Sequence, residues 1–159
     1  GEFDANYSEL CGLAEKAQVI KDELIRAIDA DTEAFNEVIA GMRMAKDTAE
    51  QIAVRSSVIR AGYKSAAEVP LRTAEMCRQV LDLCQAAANI GNKAVMSDAG
   101  VGALMALAGV QGAIHNVRIN LPHTKDEAFI ARMEAQLGAL ISESREICDA
   151  IQLQVESGF

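Results

Sequence analysis

From Ala99 to Asn116 the chain runs eighteen residues without a charge, and four of them are glycine. Such a stretch crosses a membrane, fills a core or lines a site. As a helix it would span about 27 Å, the lower limit for a bilayer. Its glycines, Gln111 and His115 make it a poor crossing, so it is expected to pack inside a protein. Ala99, Gly102, Ala106, Gly109, Ala113, Asn116 and Asn120 recur at steps of three and four and share one face. Small side chains there permit close approach by a helix or a ligand. The other side carries Val101, Leu104, Met105, Val110, Ile114 and Val117.

The remaining chain is also patterned for helices. Leu10, Leu13, Ala17, Ile20, Leu24, Ala27 and Ile28 mark an apolar face on a first helix, predicted from about Tyr7 to Met42. Thr48-Ala49-Glu50-Gln51 fits a capping box opening a second helix that runs towards Asn89, with a kink or break expected at Pro70. Gly91 suits a stop, Ser97-Asp98 a third start, and Pro122-His123 its end. Thr124-Lys125-Asp126-Glu127 reads as a second capping box before a helix reaching about Val155. No stretch alternates long enough for a strand. With six aromatic residues and two prolines in 159, the fold expected is an all-α antiparallel bundle of long helices.

One domain is expected over residues 4–159, with Gly1-Glu2-Phe3 a remnant of cloning. A net charge of −8 argues against nucleic-acid and membrane-surface partners. Cys11, Cys77, Cys84 and Cys148 form no CxxC pair and read as buried thiols in a reducing compartment, so the expected location is the cytoplasm.

His115 and His123 form no HExxH, and neither follows a glutamate by three residues, so no metal site is expected. The glycines at 100, 102, 109 and 112 follow no strand and read as packing positions rather than a nucleotide loop. Two polar groups remain. Asp29-Ala30-Asp31-Thr32-Glu33 places Asp29 and Glu33 on one helix face, which solvation alone would also explain. Gly91-Asn92, Ser97-Asp98 and Asn116/Asn120 form the other. Ser97 could be only an N-cap, but two asparagines one turn apart need partners if buried, from a helix or from a ligand.

These segments, in order, carry a resemblance. Asp29-x-Asp31-x-x-Ala34-Phe35, Arg43-Met44-Ala45-Lys46, Glu68-Val69-Pro70-Leu71, Gly91-Asn92, Ser97-Asp98-Ala99-Gly100-Val101 and Gly112-Ala113-x-x-Asn116-Val117-x-Ile119-Asn120 cover almost the whole chain. The sequence resembles the cyclodeaminase domain of formiminotransferase-cyclodeaminase and its relatives, the methenyltetrahydrofolate cyclohydrolases. The resemblance implies a helical homodimer, or a larger assembly of dimers, with a folate substrate and no further cofactor. It implies cyclodeamination of 5-formiminotetrahydrofolate, with cyclohydrolase activity as the alternative. A non-catalytic helical self-association domain is the competing class. The residues it nominates are Asp29, Asp31 and Asp98 for proton transfer, and Asn92, Ser97, Asn116 and Asn120 for orienting substrate. Arg43 and Lys46 would meet the anionic glutamate tail. Family members usually have proline where Ala45 stands and begin with a helix carrying a Gly-Gly-Gly-Ser loop. That loop is expected to be missing from this chain.

Overall fold

Among the described residues, periodic apolar residues and caps produce four helices: α1 (Glu2–Met42), α2 (Ala49–Asn89), α3 (Lys93–Thr124) and α4 (Glu127–Ser157). The computed structural model describes the backbone of residues 2–90 and 93–158, and no strand occurs among them. Thr48 opens α2 with the expected capping box, accepting from the Gln51 N–H while the Gln51 side chain accepts from the Thr48 N–H. Arg55 Nη2 donates to the Met42 carbonyl at 3.2 Å, satisfying an acceptor at the end of α1.

Several expected boundaries differ: α1 begins at Glu2 rather than near Tyr7. The second helix is not broken at Pro70 but runs through it to Asn89. The third begins at Lys93, so Ser97 and Asp98 lie inside α3 rather than at its cap. The proposed Thr124 box does not form either. α3 continues through Pro122 to Thr124, Lys125 turns left-handed at φ 53, and Asp126 caps α4 by accepting from the Phe129 N–H at 3.0 Å. A two-residue connection leaves room for one cap, and the residue after the left-handed turn takes it. The Thr124 hydroxyl instead donates back to the Leu121 carbonyl. Lys64 pairs with Asp126 at 2.6 Å, and that bond with the Phe129 N–H holds the Asp126 carboxyl below the usual carboxylate range. The expected stop at Gly91 lies outside the described residues.

Successive helices are antiparallel, as short connections require. Helices α2, α3 and α4 form the core, with α2 and α4 parallel. One apolar cluster joins Ala67, Leu71, Ala74, Val110, Val117, Leu121, Met133 and Leu137; a second joins Leu81, Ala103, Ala106, Cys148 and Ile151. Side chains also tie carbonyls across helices: Gln152 Nε2 donates to Gly100 O at 2.9 Å, and Gln154 Nε2 to Ala88 O at 3.1 Å. Among the described residues helix α1 packs on α2 and on no other helix, through Ile20, Ala34, Val38 and Gly41.

The small face of α3 meets α2. A Cβ added at Gly102 or Gly109 would lie 3.0 or 2.8 Å from the sulfur of Cys84 or Cys77, so these glycines do set the helix spacing. Gly112 does not, since a Cβ there would face open space. The opposite side divides. Val110, Ile114 and Val117 are buried, whereas Val101 is 59% and Met105 71% exposed, with Leu104 and Ile119 also uncovered. α3 is therefore a core helix on two sides and an open apolar row on the third.

Candidate functional site

The packing of α1 and α3 against α2 decides which nominated residues share a height. Ala34 of α1 clusters with Ala66 and Val69 of α2, and Ala30 packs against them. Asn120 of α3 donates from Nδ2 to the Ala66 carbonyl at 2.9 Å. Because α1 and α3 run the same way, Asn116 lies level with Ala30 and Asn120 with Ala34. Asp29 and Asp31, exposed on α1, thus stand at the height of Asn116 and Asn120.

The other nominated residues lie elsewhere along the molecule. Asp98, exposed on α3, is eighteen residues before Asn116, about 27 Å along the axis. Ser97 beside it is half-buried and engaged with its surroundings. Arg43 and Lys46 are exposed in the connection after α1, Arg43 being about 21 Å along the axis from Asp29. Asn92 lies outside the described residues. Within the chain, then, Asp29, Asp31, Asn116 and Asn120 form a middle tier, with Asp98 at one end and Arg43 and Lys46 at the other.

A groove of about 380 Å³ runs between α1 and α2, with Ala30, the chain neighbour of Asp29, in its lining. Ala27, Ala30, Val69 and Met76 form an apolar floor; Arg26, Arg72, Glu23, Glu75 and Gln79 wall it. Neither Arg26 nor Arg72 makes an ion pair among the described residues. A floor for a flat apolar group, flanked by two guanidinium groups, suits a planar ligand that also carries carboxylates. The sequence reading missed both arginines, because a charge in mid-helix normally signals only a wetted face. Their helical positions opposite each other across the α1–α2 seam become visible only once the pairing is known.

The remaining chemistry is quiet. Burial pushes the Cys77 and Cys84 thiols up, and Cys148 is pushed up by burial and by Asp149, so the reactive thiolate is disfavoured at all three. His123 stacks on Tyr63 with ring centroids 4.4 Å apart, holding α3 to α2. Among the described residues no three His, Cys, Asp or Glu side chains gather as a metal site would require.

Fold and site define a class: an all-α protein of long helices that carries acidic and amide side chains at one height and an interhelical groove between α1 and α2. The chain belongs to the formiminotransferase-cyclodeaminase family, whose profile matches residues 2–139. It is 35% identical over 150 residues to the methenyltetrahydrofolate cyclohydrolase of Methylorubrum extorquens, covering 94% of this chain and 72% of that protein. It is 35% identical over 123 residues to the formimidoyltransferase-cyclodeaminase of Sus scrofa, covering 77% of this chain but only 23% of that longer protein. The crystal structure of formiminotetrahydrofolate cyclodeaminase from Thermotoga maritima shares the fold, with a TM-score of 0.82 at 21% identity over 98% of this chain and 73% of that one.

Proposed function

We propose that this chain acts in folate one-carbon metabolism, closing 5-formiminotetrahydrofolate to 5,10-methenyltetrahydrofolate with loss of ammonia. In that reaction N10 attacks the formimino carbon and gives up its proton. The amino group of the resulting tetrahedral centre leaves after gaining one. A base near N10 and an acid near the leaving nitrogen suffice, and paired carboxylates serve both roles in turn. The observation that carries the reading is the middle tier, where Asp29 and Asp31 flank Ala30 in the chain and Ala30 lines a groove that also holds Val69, Met76, Arg26 and Arg72. Family membership supports it. The second reading, hydrolysis of the methenyl compound, is favoured by the cyclohydrolase relative, whose match extends over 94% of this chain.

Ammonia release from 5-formiminotetrahydrofolate, set against loss of the methenyl chromophore, distinguishes the two. Asp29→Asn is expected to lower kcat on the true substrate by a factor of about 100 or more. A chain that neither binds nor turns over either folate would leave the self-association class standing.

A homodimer is part of the same reading. The uncovered row of Val101, Leu104, Met105 and Ile119 supports it, as does α1, whose Val19, Ile25, Ile28 and Phe35 are exposed. Asp29 and Asp98 are too far apart in one protomer to serve one reacting carbon, so a role for both requires two subunits. Mixing inactive Asp29→Asn and Asp98→Asn chains is then expected to restore activity in hybrid dimers. No recovery, with both variants inactive alone and dimeric, would refute a shared site. An active Asp98→Asn chain would remove Asp98 from the chemistry.

A further inference from the structure

Proline has no N–H, so Pro70 leaves the Ala66 carbonyl, four residues earlier, without its helical donor. A stranded buried carbonyl commonly bends or opens a helix. Here α2 continues past Pro70 to Asn89, and Ala66, Val69, Pro70 and Leu71 are all buried. The missing donor arrives from another helix, since Asn120 Nδ2 of α3 lies 2.9 Å from the Ala66 oxygen. The same nitrogen donates to the Asn116 carbonyl, also at 2.9 Å. A carboxamide nitrogen carries two hydrogens. Both are committed to main-chain oxygens, and neither is left to donate to a ligand.

We infer that Asn120 is a positioning residue: its carboxamide supplies the hydrogen bond that Pro70 cannot make and thereby fastens α3 to α2. The fastening falls where α1 docks, because Ala66 also packs in the cluster with Ala34, three residues beyond Asp31. Proline without the amide would leave a buried acceptor empty. The amide without the proline would compete with a main-chain N–H for the same oxygen. Each residue depends on the other, although they lie 50 positions apart in the chain, at 70 and 120.

A double-mutant cycle tests this dependence. Asn120→Ala is expected to raise the unfolding equilibrium constant about tenfold in the native background. In a Pro70→Ala background the main-chain N–H is restored, and Asn120→Ala is expected to cost less than about threefold. Equal losses in the two backgrounds would overturn the inference. Hydrogen exchange of the Asn120 carboxamide, followed by NMR in the unmodified chain, needs no variant. Protection well above that of an exposed side-chain amide is expected, and exchange at the free rate would overturn it.

The consequence for ligand binding rests on the folate reading. Tetrahydrofolate affinity lost in Asn120→Ala is expected to return in the double variant. A loss that persists there, despite coupled stabilities, would mark Asn120 as a direct ligand contact and overturn the positioning role. If the native chain binds no folate, that reading fails while the stability cycle still decides the inference.

Discussion

Gly62→Leu is expected to detach α1 from the other three helices. A Cβ at Gly62 would stand 3.1 Å from the main-chain nitrogen of Val38 and 3.2 Å from its Cα. Those atoms belong to the axis of α1 and cannot rotate aside as a side-chain tip could. Gly41 repeats the approach from the other helix, with a Cβ there 3.3 Å from the Ile59 nitrogen. Overpacking at a tight contact costs about 1–3 kcal/mol, and a leucine against main chain belongs at or above the upper end. Against it, α1 offers the burial of Val38 and Ile20, each contributing about 1.5–3 kcal/mol, with the small Ala34 besides. The clash and the docking energy are therefore comparable, so α1 should open without unfolding the core. Hydrogen exchange would show this as lost protection along α1 with protection retained in α2, α3 and α4. A global fall in protection would show that α1 docking and core folding are one transition. Gly62→Ala should be milder, because about 1 kcal/mol of helix propensity offsets part of the contact.

Leu137→Ala should act on the α2–α3–α4 core and globally. Leu137 is fully buried on α4 in the cluster with Val110 and Val117 of α3 and Leu71 of α2. Removing its branched end leaves a cavity that three rigid helices cannot collapse into. The expected loss is about 3 kcal/mol, within a range of about 2–5. For a chain of this length that lowers Tm by about 6–12 °C. Leu153, on the same helix but 68% exposed, is the control: Leu153→Ala should change stability by less than about 0.5 kcal/mol. A loss below about 1 kcal/mol for Leu137→Ala would mean that the α2–α3–α4 cluster is not what holds the core.

Local chemistry made much of the fold legible. The α1 stripe around Ile20, the Thr48 capping box and the end of α2 near Asn89 all depend on residues within a turn or two of one another. The small face of α3 was likewise readable, since steps of three and four place its residues together whatever the partner. The errors occurred where a remote group intervened. Pro70 signalled a break because its own turn lacks a donor, and the donor that lets α2 continue comes from α3. Thr124 and Asp126 are both good caps, and the left-handed turn at Lys125 settles which one is used. The candidate site could be nominated from motif residues in order, because the motifs are local segments. Arg26 and Arg72 could not be, because nothing in either helix alone separates a groove wall from a solvated charge.

What the sequence determined by itself was the helical class, the approximate helix limits and the family, because periodicity, caps and ordered motifs are properties of short segments. Tertiary structure decided the rest. It set Asp29 and Asp31 level with Asn116 and Asn120, kept Asp98 about 27 Å along α3, and gave the Asn120 amide to the carbonyl stranded by Pro70. The physical reason is that a helix satisfies its backbone locally but not its faces. Which face meets which, and at what height, follows from how glycine, alanine and proline on separate helices fit together.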